Sequence, residues 1–341
     1  MRSVRALLLV GLSFGTAVGF MACGSRTGLP FDEAEEVATN PDGETIDVRV
    51  RDGRADQTND VIDDLPTIDV RPKVDVDRTD CPDADATLVY LVTDTNVLLS
   101  FYPPTATFKR IGNIACPAPA GATPFSMAVD RHGVAYVLFS RRTAANSSAG
   151  LFRVSTATAA CISTPYQVNQ QGFDTFGMGY ASDFIGAAET LFIASDEGNS
   201  VAGSGRLGSI NTNNFVLTNR GTFNPPVLRA ELTGTGAGEL YAFYSEDGTG
   251  TSNDSFVGQI NKQTAQVIAA DRIKGIQQGL GWAFAFWGGD FYLFTCPPFG
   301  PTGSCSSSHV TRFRPSDKSV VQVGTYPGVI VGAGVSTCAP Q

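Results

Sequence analysis

The stretch Met127-Ala128-Val129-Asp130-Arg131-His132-Gly133-Val134-Ala135-Tyr136-Val137 decides how the rest of the chain is read. Two short apolar runs flank a polar turn that ends in glycine, the pattern of paired antiparallel strands. The second run is centred on Tyr136. Runs of the same kind are centred on Tyr90, Phe192, Tyr241 and Tyr292, so the steps along the chain are 46, 56, 49 and 51 residues. A further run follows each of these, centred on Phe101, Val154, Ile210, Ile260 and Phe313. A period of about fifty built only from short strands signals a radial array of sheets, because one four-stranded unit cannot bury both of its faces alone.

Four complete units are predicted, each with four strands. The first covers 125–129, 134–139, 151–154 and 161–164, and the others repeat its spacing to residue 323. The C-terminus then supplies a lone inner strand at 329–334, and residues 88–92, 97–101 and 108–111 supply the three strands that it lacks. The expectation is an all-β, five-bladed β-propeller closed by pairing of N- and C-terminal strands, which leaves no long open sheet edge. Small residues alternate with large ones along the inner strands: Ser126 and Ala128, Gly177 and Gly179, Ala283 and Ala285. Their narrow face suits strands that converge on an axis, with Met127, Met178 and Phe284 packed between sheets. Val331 beside Gly332 fits this alternation less well.

The 127–137 hairpin resembles the inner hairpin of NHL-type, YVTN-like and related β-propellers. Residues 207–213 (Leu-Gly-Ser-Ile-Asn-Thr-Asn) and 257–264 (Val-Gly-Gln-Ile-Asn-Lys-Gln-Thr) resemble their outer hairpin. The resemblance spans about residues 86–341 and implies architecture only, because propellers host enzymes, lectins and scaffolds alike. The Trp-Asp dipeptide of WD-repeat proteins is absent.

Before the repeat, the composition changes. Of the formal charge of −9 on 341 residues, the stretch 32–80 carries −10, with 16 Asp/Glu against 6 Lys/Arg. Arg2, Arg5 and Arg26 add +3, which leaves about −2 for residues 81–341. Neither part has the basic stripe that nucleic-acid binding needs. Residues 1–22 read as a signal peptide, with Arg2 and Arg5 before an apolar run. Phe20-Met21-Ala22-Cys23-Gly24 resembles the lipobox of bacterial lipoproteins. That resemblance implies an acylated Cys23 as the new N-terminus and an anchor in the cell envelope. Gly24 stands where an inner-membrane retention signal would carry Asp, which points to the outer membrane. Residues 24–80 read as a disordered acidic linker in which Ile46-Asp47-Val48-Arg49 returns as Ile68-Asp69-Val70-Arg71. The folded domain is placed at 81–341.

Setting Cys23 aside, six cysteines remain, and an even number in an exported chain points to disulfides. Cys296 and Cys305 flank one loop; Cys81 and Cys338 sit at the two ends of the repeat; Cys116 and Cys161 hold comparable places in neighbouring units. With no Cys-x-x-Cys and only His132 and His309, neither a metal site nor a cofactor is expected.

The loops at 141–150, 195–206, 246–256 and 296–309 are long and share one rim, whereas turns such as Arg131-His132-Gly133 and Gly288-Gly289 on the other face are short. Long loops on a rigid frame are where binding resides. Aromatic residues near that rim are Tyr166, Phe173, Phe176, Trp282 and Phe299. Trp282 can stack on a sugar, cap the channel or pack in the core. Arg229 suits an anionic group or a salt bridge between blades. Glu231 is the one carboxylate inside an inner strand, a functional candidate or the partner of Arg229. The spacing Gly234-x-Gly236-x-Gly238 lacks the following helix of a phosphate loop, and no Gly-x-Ser-x-Gly occurs. The reading is a surface-facing, monomeric lipoprotein whose propeller binds a protein or glycan partner without catalysis. The alternative is a five-bladed glycoside hydrolase or lyase using Glu231 and Asp174 as its acids.

Overall fold

The structure, a computed structural model, describes residues 65–70, 81, 88–141, 147–184, 188–196, 205–245, 248–298 and 303–341. All of them belong to one compact unit, Asp56–Gln341. Blade 1 contributes β1 (Val89–Thr93), β2 (Val97–Tyr102) and β3 (Thr107–Asn113). Blade 2 is β4 (Thr123–Val129), β5 (Val134–Ser140), β6 (Ser148–Ser155) and β7 (Cys161–Ser163). Blade 3 is β8 (Phe176–Ser182), β9 (Glu189–Ser195), β10 (Arg206–Ile210) and β11 (Leu217–Thr222). Blade 4 is β12 (Leu228–Gly234), β13 (Leu240–Ser245), β14 (Ser255–Ile260) and β15 (Val267–Ile273). Blade 5 is β16 (Trp282–Trp287), β17 (Asp290–Thr295), β18 (Ser308–Arg314) and β19 (Ser319–Tyr326), and β20 (Ile330–Val335) returns to complete blade 1.

The sheets are antiparallel and meander outward, and blade 1 has the order β20-β1-β2-β3. Leu91 of β1 faces Ala333 of β20 on one side and Leu99 of β2 on the other. The second strands β1, β13 and β17 are buried along their whole length, and β5 and β9 everywhere but at their first residues. A strand covered on both faces needs a continuous apolar run, which is why these strands set the repeat. Outer strands such as β3 and β19 are mixed, because one face meets water.

The inner strands come close together. A Cβ on Gly179 would lie 2.7 Å from the carbonyl carbon of Leu232, and one on Gly332 would lie 2.7 Å from the backbone nitrogen of Met127. In β20 the small positions are therefore Gly332 and Gly334, which restores the alternation that Val331 had obscured. An inner strand has no neighbour on its axial edge, so its backbone donors need side-chain acceptors. Met178 N–H donates to Ser126 Oγ at 3.1 Å, and Phe286 N–H donates to Thr233 Oγ1 at 3.1 Å.

Three disulfides join Cys81 to Cys338, Cys116 to Cys161 and Cys296 to Cys305, the pairs that the repeat suggests. They belong to an oxidising, extracytoplasmic compartment. The first ties the chain just before blade 1 to the segment just after β20.

The expected linker lies outside the described residues except at Leu65–Val70, where the expectation of disorder is overturned. Ile68 is 2% exposed and packs with Phe243, Phe284 and Phe291 of blades 4 and 5. Ala270 N–H donates to Pro66 O at 2.8 Å, Ile68 N–H donates to Asp271 Oδ2 at 3.3 Å, and Lys318 Nζ donates to Ile68 O at 3.0 Å. Ile68, the partly buried Leu65 and Val70, and three backbone contacts hold this short strap. Burying an isoleucine contributes about 2 kcal/mol.

Candidate functional site

In each blade the connection between second and third strands emerges at one rim, opposite the turns that join first to second and third to fourth. In blades 2 to 5 this connection is long, and its described stems are fixed by a different device in each; in blade 1 it is the short turn 94–96. In blade 2, Asp174 accepts from Ser147 N–H at 2.7 Å, Ser147 Oγ at 3.1 Å and Ser148 N–H at 3.0 Å. In blade 3, Arg206 N–H donates to Ser195 Oγ at 2.8 Å, and the Arg206 guanidinium lies 4.4 Å from the Phe173 ring centre. In blade 4, Arg229 reaches the carbonyls of Thr249 and Gly279, and Gln277 Nε2 donates to Thr251 O at 2.5 Å. In blade 5, the Cys296–Cys305 disulfide staples the loop.

The axial mouth beneath these loops is a plug. Trp282 opens β16, with the Arg229 guanidinium 3.9 Å from its ring centre and the Phe125 ring edge-on at 6.1 Å. A cavity of about 10 Å³ is lined by Phe125, Gly281, Trp282 and Val331. A volume of that size holds at most one water, too little for a sugar ring. Gln278 is fully buried and its Nε2 donates to Arg229 O at 3.2 Å and Phe243 O at 3.3 Å. The Gln278 Oε1, Trp282 Nε1 and Ser245 Oγ atoms are buried without a hydrogen-bond partner, so the mouth keeps polar capacity in reserve.

Glu231 lies deeper, on the axis. Its Oε2 accepts from Ser126 Oγ at 2.8 Å and from Met178 N–H at 3.4 Å, so side chains and backbone of blades 2, 3 and 4 meet at one carboxyl. Complete burial pushes its pKa well above the usual carboxylate range, against the lowering effect of those two donors. The Arg229–Glu231 pairing, one of the two readings of Glu231, is not made. Arg229 has φ of 51° at a bulge in β12, and that left-handed backbone sends its side chain outward to Trp282.

No family model and no curated protein matches this chain.

The geometry therefore stands alone in assigning roles. Phe176 is fully buried, edge-on to Tyr166 at 6.0 Å, so its ring has no face toward a ligand. Asp174 already accepts three hydrogen bonds as a loop clamp, and Glu231 is sealed from solvent, so neither is placed to flank a glycosidic bond. Trp282 and Arg229 form the part of the predicted set that borders the mouth. Phe299 lies outside the described residues. Sequence reasoning missed Gln278 and the Arg206–Phe173 stack; a glutamine or arginine after a polar loop carries no signal by itself.

It also missed a second polar cluster at the short-turn face. Glu189, the first residue of β9, accepts from Arg131 N–H and Thr337 Oγ1, both at 2.8 Å. Arg131 in turn touches both sulfurs of the Cys81–Cys338 bridge. Burial raises the pKa of Glu189 to about 7, with repulsion from Asp130 adding to it and the two hydrogen bonds opposing it. This cluster closes the ring.

Proposed function

We propose that the chain is a surface-facing lipoprotein, anchored through an acylated Cys23, whose propeller presents its long-loop rim to a protein or glycan partner and performs no catalysis. One observation carries the orientation. Both attachments of the preceding chain reach turns of the short-turn face: Cys81 meets Cys338 beside Arg131 in the β4–β5 turn, and Ile68 meets Lys318 in the β18–β19 turn. A domain tethered from that face turns its long loops away from the surface that bears the anchor. The sealed mouth supports binding on the rim over chemistry in the channel.

Two measurements test the reading. Metabolic labelling with an alkyne fatty acid should mark the wild type and leave Cys23→Ser unlabelled; equal labelling of both removes the anchor. For the rim, native envelope proteins and glycans are captured on the propeller and on a variant with 197–204 replaced by a short Gly-Ser turn. The variant should lose a captured partner while keeping its melting temperature. Identical capture by both, or loss of fold and binding together, would overturn the rim as the binding surface.

A further inference from the structure

The pentapeptide Thr67-Ile68-Asp69-Val70-Arg71 occurs a second time, residue for residue, as Thr45-Ile46-Asp47-Val48-Arg49. The later copy, through Val70, is the strap seated between blades 4 and 5. That gap is built unlike its counterparts. Each blade has one left-handed residue at its outer turn: Ala106, Ala159, Phe215, Ala265 and Lys318. In three gaps this residue is an alanine that meets a glycine of the neighbouring outer strand. A Cβ on Gly112 would lie 3.0 Å from the Cβ of Ala159, one on Gly221 3.8 Å from that of Ala265, and one on Gly324 3.8 Å from that of Ala106. Gly112, Gly221 and Gly324 each stand six residues after the left-handed residue of their own blade, and Asp271 stands six after Ala265. Between blades 4 and 5 the glycine–alanine pair is thus replaced by Asp271 and Lys318, joined at 3.1 Å, and both hold Ile68.

We infer that this gap is a peptide-acceptor groove, and that its second ligand is the Thr45–Arg49 stretch of another copy of the chain. The groove reads backbone groups and the Ile68 and Val70 side chains, while Leu65 packs against the neighbouring cluster of blades 3 and 4. Ile68 also supplies the N–H to Asp271 and the carbonyl to Lys318; the carbonyl of Pro66 supplies the acceptor for Ala270. Ile46 and Val48 repeat Ile68 and Val70, and Glu44 offers the same carbonyl as Pro66. Each chain therefore carries one groove and two stretches that fit it. The second stretch repeats Ile68 and Val70 but carries Gly43 where the strap has Leu65, so it forgoes that packing; for the contacts that are shared, concentration decides between them. The resident stretch is joined to the disulfide-held Cys81 by a span of eleven positions, 70 to 81, which gives it an effective concentration on the order of millimolar. A foreign stretch competes when copies are crowded to a similar density. Exchange then links neighbouring copies without a new kind of contact, from the side of the molecule that the long-loop rim does not use.

The test uses the full-length chain with Cys23→Ser and a synthetic peptide of residues 41–53. In the wild-type background, amide resonances of Ile68 and Ala270 should shift only at peptide concentrations of about millimolar. With Ile46→Asp and Ile68→Asp together, which disable both resident stretches, the Ala270 shift should appear at least tenfold lower in peptide. A peptide carrying Ile46→Asp should shift neither. Sedimentation of the parent chain should show association as concentration approaches millimolar, abolished by Ile46→Asp alone. A folded double variant that ignores the peptide overturns the groove. If the double variant does not fold, absence of any Ile68 shift in the parent chain at about ten times that concentration does the same. A parent chain that stays monomeric throughout overturns the second copy as occupant.

Discussion

Replacing Glu189 with glutamine should change how stability depends on pH, by an amount that the structure sets. The carboxyl lies at the ring seam, where burial raises its pKa from an ordinary 4.5 to about 7. Below pH 4.5 it is protonated in both the folded and the unfolded chain, and its contribution is fully present. Between 4.5 and 7 the unfolded chain releases the proton and the folded chain keeps it, so stability falls as pH rises; above 7 the loss is complete. At about 1.4 kcal/mol per pH unit, the wild type loses about 3 kcal/mol through this group. Glutamine has no proton to lose, still accepts from Arg131 N–H through its oxygen, and can donate to Thr337 Oγ1. Urea unfolding of both proteins with disulfides intact, from pH 4 to 8, gives the difference between them at each pH. That difference should shift in favour of Glu189→Gln by about 3 kcal/mol from pH 4 to pH 7.5. Asp130 and Glu231, whose pKa values burial also raises, are present in both proteins and largely cancel. A difference that stays flat across this window, or that moves in favour of the wild type as pH rises, refutes the account of the seam.

Removing the Cys81–Cys338 bridge, which spans 257 residues, should cost about 5 kcal/mol, against about 3 for Cys296–Cys305, which spans 9; denaturant midpoints of the two double-serine variants give the order. Gly179→Ala should destabilise the ring by about 2 kcal/mol or more, because its new methyl meets the Leu232 carbonyl; an unchanged melting temperature would mean that β8 and β12 are not in close contact. Glu231→Leu should cost about 2 kcal/mol by removing the acceptor for Ser126 Oγ and Met178 N–H. Glu231→Gln keeps that acceptor and should gain on the wild type as pH rises above about 4.5, which paired pH–stability curves would reveal.

The blades were legible because their second strands are sandwiched. Tyr90, Tyr136, Phe192, Tyr241 and Tyr292 are all at least nine-tenths buried, and burial on both faces forces an apolar-aromatic run that stands out at each return. The disulfides followed, since closing the repeat brings Cys81 to Cys338. The strap was not legible. Ile68 sits in an acidic stretch whose composition argues for disorder, and its partners Asp271 and Lys318 lie more than 200 residues away in sequence. Nor did spacing reveal the partner of Arg229, because a single left-handed residue in a strand redirects a side chain that regular alternation would aim at Glu231. Glu189 carried no signal in the sequence, because its partners Arg131 and Thr337 lie 58 and 148 residues away.

The pairing of β1 with β20 has a consequence for biogenesis. The strand that seals the circle, Ile330–Val335, is synthesised after every other described strand. Until it arrives, blade 1 presents a bare edge, and Cys81 lacks its native partner Cys338. Contacts this distant along the chain form slowly. The protein thus completes its circle, and gains its longest-range covalent lock, only after all of its other strands have been made.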